Sequence, residues 1–153
     1  MSDSTEGPPQ NDPAIVDTDD LLRRVPNRPK MVAAESGGRL RPSSAALELR
    51  DGEAGCSVHV QARLPNPRDP LIVLEGHCRD WGVATATAGD ARDQDRHRVV
   101  GAPRTDHPPR ADDPAHAEVV PTATSRTAQK RHFRALAARM TFVQEPVMTS
   151  QCS

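Results

Sequence analysis

The chain reads as a small α+β domain: a mostly antiparallel sheet with a C-terminal amphipathic helix packed on it. Three observations predict this. Short apolar runs recur between turn-forming residues from Ala45 onward. One of them, CSVHVQARL (56–64), alternates, with Val58, Val60 and Ala62 on one face and Ser57, His59 and Gln61 on the other. Near the end, Phe133, Leu136, Ala137 and Met140 recur at helical spacing and form one apolar stripe.

The first 19 residues (MSDSTEGPPQNDPAIVDTD) are acidic, Pro-rich and aperiodic. They are expected to be a disordered tail, dispensable for folding. The domain is then predicted over 20–146. DLLRRVP (20–26) is a short apolar-basic segment stopped by Pro26, and 27–44 reads as loop. AALEL (45–49) reads as a strand, although Pro42-Ser43-Ser44 before it could equally cap a helix over 44–49. PNPRDP (65–70) is a turn and LIVL (71–74) is the most hydrophobic run in the chain. WGVATATAGDARDQ (81–94) is ambiguous between helix and strand. HRVVGAP (97–103) and AHAEVV (115–120) are predicted strands, separated by a polar loop. The helix is predicted over 125–143, capped by Thr124 or Ser125 and closed by Pro146. Residues 147–153 are expected to be flexible.

Composition sets limits on the core. The 153 residues, one domain's worth, include 35% hydrophobic side chains and 15 prolines. Trp81, Phe133 and Phe142 are the whole aromatic complement, with no tyrosine. A core built from Val, Leu and Ala buries less area per residue, so it should be thin. Lysine occurs only at Lys30 and Lys130, and the remaining cations are arginine, as in proteins from GC-rich genomes. Arginine count is therefore no argument for nucleic acid, and too few aromatics are present for a stacking platform.

The net charge of −1 conceals segregation. Residues 1–20 hold six acids and no cation, while 21–50 hold seven cations against Glu35 and Glu48. An acidic tail could fold back on that basic segment. Cys56, Cys78 and Cys152 are odd in number and contain no C-x-x-C pair, which argues against a disulfide framework or a cysteine zinc site. With neither a signal sequence nor a bilayer-length apolar run, a cytoplasmic location and no membrane partner are expected. Motifs for triads, phosphate loops, dinucleotides and metalloproteases are absent, so no cofactor or metal is expected.

Two clusters carry candidate chemistry. The predicted helix start holds Thr124, Ser125, Arg126 and Lys130 and no acid. The helix dipole favours anions there, so cations point to a bound phosphate or to an ordinary basic surface. The second cluster is Arg23, Arg24, Ser43, Ser44, His116 and Glu118. In a strand, His116 and Glu118 share a face and suit a base with its orienting carboxylate, or two metal ligands that would still need others, such as His59. Arg39, Arg41, Ser43 and Ser44 also combine cations with hydroxyls, although element capping accounts for them as well.

LLRRVP (21–26), RPSSAAL with SVHV (41–47 and 57–60), and DPAHAEVV (113–120) together resemble an uncharacterised family of short bacterial proteins. Those proteins share an RxP…RPSSAAF…SV…DPAHA pattern. The resemblance spans most of 20–145 in the same order. It implies a folded domain and no activity. This chain departs at Leu47, where the family has an aromatic residue, and at Cys56–His59, where it has a more apolar strand.

Two functional readings follow. The first is a non-catalytic accessory or protein-interaction domain that works beside a larger partner through its charged segments. The alternative is a small enzyme like the ADP-ribosyltransferases, or a phosphate- or nucleotide-binding domain. In the enzyme, Arg23 or Arg24, Ser43 or Ser44, and Glu118 would have to converge on one cleft. The helix phase has its own test. Phe133→Ala should cost about 3 kcal/mol in denaturant unfolding, whereas Arg134→Ala on the opposite face should cost little. Equal losses would show the stripe to be misphased.

Overall fold

The computed structural model describes residues 10–64, 80–103 and 114–149. In chain order, the strands and helices are β1 (Asp20–Val25), β2 (Val32–Ala34), β3 (Leu40–Pro42), β4 (Cys56–Val60), β5 (Gly82–Thr87), α1 (Ala88–Arg92), β6 (His97–Gly101), β7 (His116–Pro121), α2 (Arg126–Ala137) and β8 (Thr141–Gln144). Six strands form one sheet in the order β6-β7-β4-β1-β5-β8, and every neighbouring pair is antiparallel. β2 and β3 form a separate hairpin. Gly37 and Gly38 close that hairpin at φ of 94° and 84°, a region that side-chain-bearing residues rarely adopt.

The apolar-basic segment 20–26 is a strand, and it lies in the interior of the sheet. Its alternation explains this. Leu21 and Val25 are buried on one face and Leu22 on the other, which suits a strand flanked on both edges. On the first face they join Val58 and Val60 of β4, Val99 of β6, Val119 of β7, and Phe133, Leu136, Ala137 and Met140 in one buried cluster. A smaller cluster of Leu22, Leu64, Val83 and Ala115 forms separately.

The ambiguous segment 81–94 divides into β5 and α1. Thr87 sits at the boundary and caps the helix. Its hydroxyl accepts from the Asp90 N–H while the Asp90 carboxylate accepts from the Thr87 N–H, both at 3.1 Å. The predicted strand at 45–49 does not form; Ser44–Ala46 is a single 3-10 turn that buries Ala46 and Leu47. The loop predicted over 27–44 contains the β2–β3 hairpin. Residues 65–70, 71–74 and most of the polar loop before β7 lie outside the described residues.

The helix predicted over 125–143 is shorter. Ser125 caps it, its hydroxyl accepting from the Ala128 N–H at 3.2 Å. It ends at Ala137, and Thr141–Gln144 cross to pair with β5. Phe142 then packs against the main core from the sheet edge. Thr141, Phe142 and Val143 are β-branched or aromatic, types that suit a pleated surface, and the open edge of β5 supplies the hydrogen bonds.

The N-terminus also departs from the expected disordered tail. Residues 1–9 lie outside the described residues, but 11–19 pack onto the domain rather than forming a tail. The Asp12 N–H donates to the Val99 carbonyl (2.9 Å) and the Val99 N–H to Asn11 Oδ1 (2.8 Å), so this segment lines the outer edge of β6. Arg92 clamps it through Asn11 Oδ1 and Asp17 Oδ1 (both 2.9 Å) and the Asp12 carbonyl (3.2 Å). Ile15 is 1% exposed within the main core. One large aliphatic side chain and a set of edge hydrogen bonds offset the ordering entropy that composition alone suggested would win. At the other end, Val147 is held as well: its N–H donates to the Asp80 carbonyl (2.8 Å) and its carbonyl accepts from Asn27 Nδ2 (3.0 Å). Ile15→Ala should therefore cost about 2–4 kcal/mol in denaturant unfolding. A loss no larger than that of an exposed substitution such as Val16→Ala would show the segment to be unattached.

Candidate functional site

The loop between the 3-10 turn and β4 stands opposite the first turns of α2. Between them lies a cleft of about 270 Å³. Thr124, Arg126, Gln129 and Lys130 line one wall, residues 48–53 the other, and Phe133 and Leu49 add apolar surface. Three of the four residues singled out at the helix start therefore face this cleft. The fourth, Ser125, is the helix cap and does not line it.

The charge balance differs from what the helix sequence suggests. The first turns of α2 contain no acid of their own, but the facing loop brings Glu48, Asp51 and Glu53 against Arg50, Arg126 and Lys130. Lys130 Nζ lies 3.7 Å from Glu48 Oε1. Glu53 is partly committed, since its Oε1 accepts from the Arg50 N–H at 2.6 Å. The lining thus carries three cations and three acids. It suits a ligand surface that presents both signs better than it suits a lone anion.

The second candidate cluster does not assemble as one site. Arg23 points to the main-core face, where Nε donates to the Ala46 carbonyl (3.0 Å) and Nη1 to the Ser57 carbonyl (2.8 Å). The 3-10 turn that begins at Ser44 lies on that same face, and Ser43 Oγ donates to the Lys30 carbonyl at 2.5 Å. Glu118 lies on the other face, directly across from Ser57. Arg24 shares that other face, but its guanidinium rests 4.5 Å over the Trp81 ring. Burial, and then the neighbouring Arg23 charge, lower its pKa to about 10. The arginine, serine and glutamate that an ADP-ribosyltransferase would need are therefore divided between the two faces.

His116 and Glu118 do share a face, but Glu118 does not orient the ring. His116 Nδ1 donates to the Ala102 carbonyl at 2.8 Å, and Nε2 lies 3.2 Å from Ser57 Oγ. Both ring nitrogens are thus engaged elsewhere. His59 packs edge-on at 6.0 Å between ring centroids. Among the described residues, no set of three His, Cys, Asp or Glu is placed to hold a metal ion. Sequence reasoning put Ser57 and His116 each on the polar side of its own strand. It missed their contact because 59 positions separate them and only the β4–β7 pairing joins them.

His97 is the most buried titratable side chain in the sheet, at 1% exposure. Its Nδ1 donates to the Ala91 carbonyl at 3.0 Å, and its ring packs 4.7 Å from Phe133. Burial holds the ring neutral and lowers its pKa from 6.5 to about 4. The neighbouring His132 and Arg96 act in the same direction, and the bond to Ala91 opposes them. Between those two values the unfolded chain binds a proton that the folded chain does not. The contribution of His97 to stability should accordingly be fully present above pH 6.5 and fall by about 3 kcal/mol as pH drops toward 4. Denaturant unfolding of the native protein and of His97→Gln across this range checks it. The variant should lose that component of the slope, and identical slopes would assign the acid sensitivity to the carboxylates.

No protein-family model, curated protein or solved structure matches this chain.

Proposed function

We propose that this chain is an accessory protein-interaction domain that binds a larger partner through the cleft between α2 and residues 48–53, without catalysing a reaction there. The observation that carries this reading is the pairing of a cationic helix start with an acidic loop across an open volume of about 270 Å³. Such a lining recognises a segment carrying both charges, and mismatched partners would meet like charge. The charged segments singled out in the sequence are less suited to the role. Asp12 and Asp17 pair with Arg63 and Arg92 rather than with residues 21–50, Arg23 is bonded into the core, and Arg41 lies 3.7 Å from Glu35.

The resemblance to short bacterial proteins and the cytoplasmic location belong to the same proposal. Among the described residues, no helix is long and apolar enough to cross a membrane. A phosphate- or nucleotide-binding reading draws on Thr124, Arg126 and Lys130 in the same cleft, but the three facing acids oppose a polyanion.

A photo-crosslinking residue at position 129, in the cleft, tests the proposal against one at Arg39, which is exposed at the β2–β3 turn. In host cells, position 129 should give a discrete protein adduct that Arg39 does not. Arg126→Glu with Lys130→Glu should remove that adduct. Equal adducts at both positions, or one indifferent to the charge reversal, would refute the cleft as the partner site. If inorganic phosphate instead raises the midpoint of the native protein, but not of Arg126→Gln with Lys130→Gln, beyond chloride at equal ionic strength, the anion reading replaces it.

A further inference from the structure

We propose that Ser57 is a nucleophile activated by His116, forming a second site on the opposite face of the sheet that takes acyl esters. The Ala102 carbonyl can only accept, so Nδ1 of His116, 2.8 Å away, carries a proton. Nε2 is then the basic nitrogen, and it lies 3.2 Å from Ser57 Oγ. A hydroxyl within reach of a base, with the base held in one tautomer by a third group, is the arrangement that raises a serine's nucleophilicity. Here a backbone carbonyl is the orienting group.

The surroundings support the assignment. β4 and β7 hold the pair rigidly: His59 lies opposite His116 and, two positions along on the same face, Ser57 lies opposite Glu118. His116 is 4% exposed and packed edge-on against His59, so its ring is fixed. Ser57 retains partial exposure on the polar face, and Arg23 anchors its backbone carbonyl from the other face. A hydroxyl with no role beyond satisfying a buried ring would fit this site equally well when fully enclosed.

The reaction balances with groups the site holds and an ester substrate. Ser57 Oγ attacks the ester carbonyl and its proton passes to His116 Nε2. The ester C–O bond breaks, and His116 returns the proton to the leaving alkoxide. Water, deprotonated by the same nitrogen, then attacks the acyl carbonyl, the carbonyl C–Oγ bond breaks, and His116 gives that proton to Ser57 Oγ as the acid leaves. The geometry supplies a general base and a nucleophile, contributions of roughly a hundredfold or more in rate.

The test uses the native full chain and a fluorophosphonate. Attack by Ser57 forms an O–P bond, breaks the P–F bond, and releases fluoride with the proton carried by His116. Cleavage after Arg50 and Arg63 isolates the peptide 51–63, in which Ser57 is the sole hydroxyl-bearing residue. Fragmentation then separates an adduct on Ser57 from one on Cys56 or His59. One adduct per chain, on Ser57, is expected. Heat-unfolded protein should give none, and His116→Gln, with its fold verified by circular dichroism, should label about a hundredfold more slowly. No adduct on the native chain would overturn the proposal. So would adducts spread over surface hydroxyls, or an unchanged rate in His116→Gln. Because the readout on the native chain needs no variant, a misfolded substitution leaves the conclusion intact. Failure here does not affect the cleft on α2, which the crosslinking experiment tests separately.

Discussion

The placement of Arg23 organises much of the fold. β1 is an interior strand, and a guanidinium in its main-core face would be costly without compensation. It is compensated by the carbonyls of Ala46 and Ser57. Hydrogen bonds to a charged group contribute about 1.5–3 kcal/mol each, enough to offset a partial desolvation. The same two bonds fix the 3-10 turn and β4 relative to β1. They thereby set the position of Leu47 in the core, of the 48–53 loop that follows it, and of Ser57 on the far face. Loss of that one cation would leave two carbonyls without their donor and loosen three segments at once.

A second constraint is the scarcity of large side chains. With few aromatics, the core closes around Phe133, and His97 serves as a flat ring against it. Ile15 enters the same cluster from outside the sheet. The recruited segment also covers the outer edge of β6, which would otherwise offer free backbone groups to another chain. Val143 on the opposite edge strand remains 58% exposed. The thin core is therefore completed by a segment whose composition alone would have left it disordered.

The two faces of the sheet divide the chemistry. The α2 side is largely apolar and terminates in the charged cleft. The other side sets Arg24, Ser57, His59, His116 and Glu118 among a few aliphatic residues. Cross-strand pairing is what makes this concentration possible, because alternate positions of several strands add up to one surface. The segregation of charge visible along the chain is offset in part in three dimensions. Asp12 and Asp17 meet Arg63 and Arg92, and Lys130 meets Glu48.

Chain-local patterns were enough for the α+β class, the strands β4, β6 and β7, and the side chains Phe133, Leu136, Ala137 and Met140 that enter the core. Periodicity and turn residues are local signals, and local physics sets them. It also placed Ser57, His59, His116 and Glu118 on polar strand faces and the cations at the start of α2. That DLLRRV is an interior strand follows from long-range packing, because a guanidinium is tolerated there only when distant carbonyls receive it. Only the structure ended the helix at Ala137, since the competing partner for Thr141–Gln144 is the edge of β5. The docking of Ile15, the acids opposite Arg126 and Lys130, and the contact of Ser57 with His116 likewise join segments remote in sequence. No single-strand or single-helix pattern carries that information, because these interactions are created by closure of the chain on itself.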